Sequence, residues 1–128
     1  MEEQAMKEII QEYIKAYNEF NVERMLRNIH KDVGFKNIAN GEVNVQLKGI
    51  ISLRSQAEQA VNLFEKREMK ITDQIIKGNI VEIKIKFEGV FAVDIPDGPK
   101  AGELVKINGK SIFQFEEGKI ILIEDISQ

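Results

Sequence analysis

Residues 102–125 read GELVKINGKSIFQFEEGKIILIED. Apolar and polar residues alternate through Ser111-Ile112-Phe113-Gln114-Phe115. A Glu116-Glu117-Gly118 turn follows, and Lys119 to Ile126 runs back. Alternation at period two around a glycine-containing turn predicts an antiparallel hairpin with one buried face. An isolated hairpin is marginal in water, so the preceding chain must supply further strands and a cover.

Upstream, Val81, Ile83, Ile85 and Phe87 alternate with Glu82, Lys84, Lys86 and Glu88, the pattern of a strand with one solvated face. Another strand is predicted over Ile71–Lys77, with a turn at Lys77-Gly78-Asn79. Pro96-Asp97-Gly98-Pro99 forms a loop, because proline cannot donate to a ladder. Asn108-Gly109 admits two readings: a type I′ hairpin turn, or a bulge within one strand running from Glu103 to Phe115.

The first half has a different period. Met6, Ile9, Ile10, Tyr13, Ile14, Tyr17 and Phe20 recur at three and four residues, predicting an amphipathic helix over residues 2–19. Asn21 is placed to cap a short second helix carrying Val22, Met25, Leu26 and Ile29, closed by His30-Lys31-Asp32. Val33-Gly34-Phe35 is extended. Asn40-Gly41 is a turn before the alternating Val43, Val45 and Leu47. Ser52 is placed to cap a third helix with Leu53, Ala57, Ala60, Val61 and Phe64 on one face, ended at the surface by Glu65-Lys66-Arg67-Glu68. Helices followed by a run of antiparallel strands give an α+β class.

The composition is that of one globular domain: 128 residues, 43% hydrophobic and 30% charged. The net charge of −3 argues against a nucleic-acid partner. The chain has no cysteine, which excludes disulfides, thiolate metal sites and a cysteine nucleophile, and its one histidine excludes a multi-histidine metal site. No cofactor is expected. No apolar run reaches the ~20 residues of a membrane span, and the acidic start Met1-Glu2-Glu3-Gln4 is unlike a secretory signal, so the expected location is cytoplasmic.

The order helix, short helix, strand, helix, four-strand meander resembles the nuclear transport factor 2-like superfamily. So do Tyr13-Ile14-Lys15-Ala16-Tyr17-Asn18 leading into Asn21-Val22-Glu23, Gly49 before the third helix, and the closing Gly109 to Ile120. Within that superfamily the likeness is to SnoaL-like polyketide cyclases and ketosteroid isomerases. The resemblance implies a cone, in which a strongly curved antiparallel or mixed sheet wraps three helices from the N-terminal half around an apolar pocket. It favours the bulge at Gly109 and implies a homodimer through the outer sheet face, with Ile112, Ile121 and Ile123 as convex candidates.

For a ketosteroid isomerase the resemblance places the oxyanion tyrosine at Tyr13, the base at or near Asn37 and the oxyanion aspartate at Ser111. An amide cannot take a proton at neutral pH, so steroid isomerisation is rejected. For a SnoaL-like cyclase the histidine position falls near Lys36, while Asp125 keeps the aspartate. The candidate catalytic residues are Tyr13 and Asp125 from this resemblance, and Asp94, which follows an apolar strand and precedes Ile95-Pro96 near the expected rim. The candidate pocket residues are Tyr13, Tyr17, Phe35, Asn37, Phe64, Phe87, Phe91, Ser111 and Phe113, suited to a hydrophobic small molecule. His30, the lone imidazole, is a general-base candidate whose plainer role is to complement a helix end. Two functions remain open: a pocket protein acting as isomerase, cyclase or dehydratase, and a non-catalytic dimeric binding or protein-interaction module.

Overall fold

The computed structural model describes residues 1–127. The elements run α1 (Glu3–Asn18), α2 (Val22–Leu26), β1 (Ile29–Ala39), β2 (Glu42–Lys48), α3 (Ile50–Val61), β3 (Phe64–Lys77), β4 (Ile80–Phe91), β5 (Leu104–Glu116) and β6 (Lys119–Ser127). Six strands form one sheet in the order β2-β1-β6-β5-β4-β3, with β1 parallel to β6 and every other pair antiparallel. The sheet curls around the three helices as the cone of the nuclear transport factor 2-like fold. No helix among the described residues is long and apolar enough to cross a membrane.

The apolar stripes meet inside this curl. Met6, Ile10, Tyr13 and Ile14 of α1 pack with Leu53 and Ala57 of α3, Val81, Ile83 and Ile85 of β4, Phe113 and Phe115 of β5, and Ile120 and Ile123 of β6. Asn21 caps α2 as its position suggests, its side chain accepting from the Arg24 amide at 3.1 Å.

Several expected boundaries move. The second helix ends at Leu26, and Ile29 and His30 open β1 instead of closing a helix, with Ile29 paired to Ile120 of β6. α3 begins at Ile50, two residues before Ser52. Its cap is Gly49 at φ +92°, a conformation L side chains rarely adopt. Phe64 opens β3, so Glu65-Lys66-Arg67-Glu68 is strand and Arg67 is buried, only 6% exposed. A charge run at a helix end is ordinarily solvated. On a strand every second side chain turns inward, and Arg67 shares that face with Met69.

The Asn108-Gly109 pair lies inside one strand, as the single-strand reading has it, but no bulge occurs there. The β4–β5 register is unbroken through Ile85↔Gly109 and Lys86↔Asn108. Glycine is required for another reason: a Cβ at Gly109 would lie 2.5 Å from the Ile126 carbonyl oxygen. The irregularity falls in the β5–β6 ladder, between Gln114 and Phe115, where Phe115 pairs with Ile120 and Gln114 with Leu122. The extra residue, Ile121, shifts the inward face, so Ile120 and Ile123 both enter the core and are fully buried. Ile123 is thus not a convex-face residue.

Phe113 is 1% exposed and meets the Tyr13 ring edge-on, with centroids 5.7 Å apart. Phe113→Ala is expected to cost about 3–5 kcal/mol in urea unfolding, the range for deleting a core phenylalanine. A loss below about 1 kcal/mol would refute this inward placement of β5.

Candidate functional site

The curl of the sheet leaves a cavity of about 300 Å³ between the helices and the concave face. Tyr13 and Tyr17 reach it from α1, Met25 from α2, and Leu53, Gln56, Ala57 and Ala60 from α3. The sheet contributes Phe35 and Asn37 of β1, Phe64, Arg67 and Met69 of β3, Ile85 and Phe87 of β4, Ile107 and Gly109 of β5, and Asp125 and Ser127 of β6. Strand alternation selects these residues, because Asn37, Asp125 and Ser111 are register partners across β1, β6 and β5 and share the inward face.

Asp125 is the acid of this row. It is partly buried, and the Ser111 hydroxyl donates to its Oδ1 at 2.7 Å. Loss of hydration in the cavity wall outweighs that hydrogen bond and pushes the carboxyl from its ordinary 3.8 up to about 6. Tyr13 is 9% exposed, and burial first, then the nearby Asp125 charge, drives its phenol well above the usual tyrosine range. Burial likewise pushes Tyr17 up to about 12. Both phenols therefore remain protonated donors at neutral pH, beside a carboxyl that titrates within reach of it.

Arg67 supplies the opposite charge. Its guanidinium carbon lies 3.7 Å from the Tyr17 ring centroid and 4.6 Å from that of Phe20, a stacked arrangement that favours the cation. Its Nε donates to the Tyr17 carbonyl at 2.9 Å, whereas Nη2 is buried with no hydrogen-bond partner. Desolvation lowers its pKa.

A family model for the SnoaL-like domain matches residues 10–123. The chain belongs to the SnoaL-like domain family. No curated protein sequence matches it. Among solved structures, this SnoaL-like chain is similar to TsrD from Streptomyces laurentii, with a TM-score of 0.83 at 17% identity over 100% of this chain and 91% of that one. It is also similar to TerC, co-crystallised with polyporic acid, with a TM-score of 0.77 at 14% identity over 97% and 92%. A third likeness is to an LEH-like epoxide hydrolase from M. tuberculosis, with a TM-score of 0.74 at 15% identity over 94% and 80%. At these identities the likeness is one of fold.

Of the residues singled out in the sequence, Tyr13, Tyr17, Phe35, Asn37, Phe64, Phe87 and Asp125 line the SnoaL-like cavity. Ser111 and Phe113 lie behind it, the first bonded to Asp125 and the second packed against Tyr13. Phe91 supports Phe64 from outside the lining, with ring centroids 4.8 Å apart. Asp94 lies on an exposed loop, where its Oδ1 accepts from the Ala101 amide at 2.9 Å, the work of a turn residue. His30 is buried at the start of β1, outside the cavity lining. Its Nδ1 accepts from the Asp32 amide at 3.0 Å and its Nε2 faces Glu117 at 3.5 Å. Together with Glu116 these form the one cluster of metal-ligand type among the described residues, but both glutamates are exposed and one imidazole nitrogen is already engaged.

Sequence reasoning missed Arg67, Gln56 and Met69. The signal for the first was available: Met69 and Arg67, two and four residues upstream of the strand read from Ile71, continue its inward alternation.

Across pH 4–6 folded Asp125 holds a proton that the unfolded chain has released, so its contribution favours folding most below pH 3.8. That contribution is lost as pH rises through about 6. In paired urea titrations between pH 4 and 7.5, wild type should therefore lose stability relative to Asp125→Asn as pH rises, on the order of 1–3 kcal/mol in all. A pH-independent difference would show that Asp125 titrates normally.

Proposed function

We propose that this SnoaL-like domain binds a hydrophobic small molecule bearing a carbonyl group and moves a proton at the carbon beside it, as an isomerase, cyclase or dehydratase must. The observation that carries the reading is the desolvated, Ser111-bonded carboxyl of Asp125 sharing an apolar cavity with the protonated phenol of Tyr13. Asp125 as carboxylate takes the proton from carbon. The C–H electron pair becomes the enolate C=C bond, and the carbonyl π pair moves to oxygen. The Tyr13 hydroxyl donates to that oxygen, where negative charge develops. Return of the proton from the Asp125 carboxyl to another position completes an isomerisation. Asn37, beside Asp125 in register, serves as a neutral hydrogen-bonding group and not as a base.

The comparisons support this reading without specifying a substrate. Structures of the same fold include an LEH-like epoxide hydrolase and a protein co-crystallised with polyporic acid. A general base placed beside its carbon contributes roughly 10²–10⁴-fold. In D2O, the protein should accelerate exchange of the α-protons of 2-tetralone followed by NMR, and Asp125→Asn should remove at least about a hundredfold of that acceleration. Exchange at the buffer rate with wild type, or equal rates for wild type and Asp125→Asn, would overturn the proton-transfer role.

A further inference from the structure

We propose that Arg67 is an anion-binding site: the ligand carries a carboxylate or similar planar anion, which the Arg67 guanidinium holds at the β3 end of the cavity while the apolar body extends toward Asp125. The proposal rests on the small-molecule reading of the cavity and adds the substrate class.

Arg67 is a buried cation without a counter-anion among the described residues. It is 6% exposed, and the ionisable side chains that act on it are the two cavity tyrosines, which are neutral at physiological pH. Burying an unpaired charge is costly, and native structures ordinarily supply an acid partner. Arg24 and Arg54 show the contrast: Arg24 pairs with Glu12 and Glu19, and Arg54 with Glu23. Arg67 instead has one bond to a carbonyl, two aromatic rings against its faces, and the buried, unpartnered Nη2. Stacking fixes the plane of the guanidinium, which is the geometry a carboxylate needs for a two-point contact.

Phe20, whose ring takes part in the stack, has φ +58°, an uncommon value for an aromatic residue. That conformation caps the end of α1, where the Asn21 amide donates to the Ala16 carbonyl and the Tyr17 carbonyl accepts from both the Phe20 amide and Arg67 Nε.

Asp125 does not fill the vacancy. Its register row runs through Ser111 and Ile83 to Gln74, seven residues further along β3 than Arg67 and three strands away from β6. Its carboxylate is engaged by Ser111. The cavity thus separates a cation from an acid, with Tyr13 within the field of both. A ligand with an anionic group at one end and its reactive carbonyl at the other would bridge them. The other cation at the lining, Lys110, is already paired with Glu82 at 3.4 Å on the sheet's outer side.

The test compares 2-naphthoate with 2-naphthylmethanol by isothermal titration calorimetry, two probes of similar shape that differ in charge. Wild type should bind the anion roughly tenfold or more tightly than the alcohol, as expected of a charge-assisted contact in a dry site. Arg67→Met should abolish that preference, Arg67→Lys should keep part of it, and Lys110→Met should keep all of it. Alcohol binding without anion preference in wild type would overturn the anion site and leave the apolar pocket standing. Binding of neither probe would overturn both. The wild-type comparison decides even if Arg67→Met does not fold, and loss of preference in Lys110→Met with retention in Arg67→Met would assign the anion to Lys110 and overturn the proposal.

Discussion

The cavity depends on how α1 is fastened to the open edge of the sheet. β3 is the last strand in the order and pairs only with β4, so its outward amides and carbonyls lack a strand partner. The Asn18 side chain meets that need at one residue. Its Nδ2 donates to the Met69 carbonyl at 3.1 Å and its Oδ1 accepts from the Met69 amide at 2.8 Å, the pair of bonds another strand would have made. Two residues away, Arg67 reaches back to the Tyr17 carbonyl. The helix end and the strand edge are locked by three polar bonds, and the Tyr13 and Tyr17 rings are aimed under the sheet as a consequence.

That lock explains why polar groups tolerate an apolar cavity. Each is held by a neighbour that does not neutralise it: Arg67 by a carbonyl and aromatic faces, Asp125 by a serine hydroxyl. In a low-dielectric setting, groups held this way keep strong fields, and their proton affinities move apart from solution values. The same row of inward residues that packs the core through Phe113 and Ile123 turns polar at Ser111, Asp125 and Asn37 toward the cavity. The core and the site are therefore successive parts of one sheet face, and residues that build the first also position the second.

Much of this was legible in the sequence because periodicity reports burial directly. The β4 alternation, the α1 stripe and the β5–β6 hairpin survive almost unchanged in the structure, and the cone is the one implied by the family resemblance that their order carries. What was not legible depends on events that break a period or bridge distant residues. One inserted residue at Ile121 sends Ile123 into the core, and nothing in a run of four apolar residues marks where the insertion falls. Glu65-Lys66-Arg67-Glu68 looks solvated, since the burial of its third member is decided by a helix end fifty residues upstream. Asn18 carries no local signal at all, its partner being fifty-one residues away. Asp94 illustrates the converse, a residue whose position before a proline-containing loop fits a turn, which is what it makes.

Amide hydrogen exchange at Met69 tests the central claim most directly, because its N–H points away from β4 and is covered only by Asn18. If the α1–β3 lock holds, Met69 should be protected to a degree comparable with the interior amides of β4, opening only when the sheet does. Exchange at the rate of a free edge-strand amide would mean that α1 is not fastened there, and that the cavity wall formed by Tyr17 and Arg67 does not stand as described.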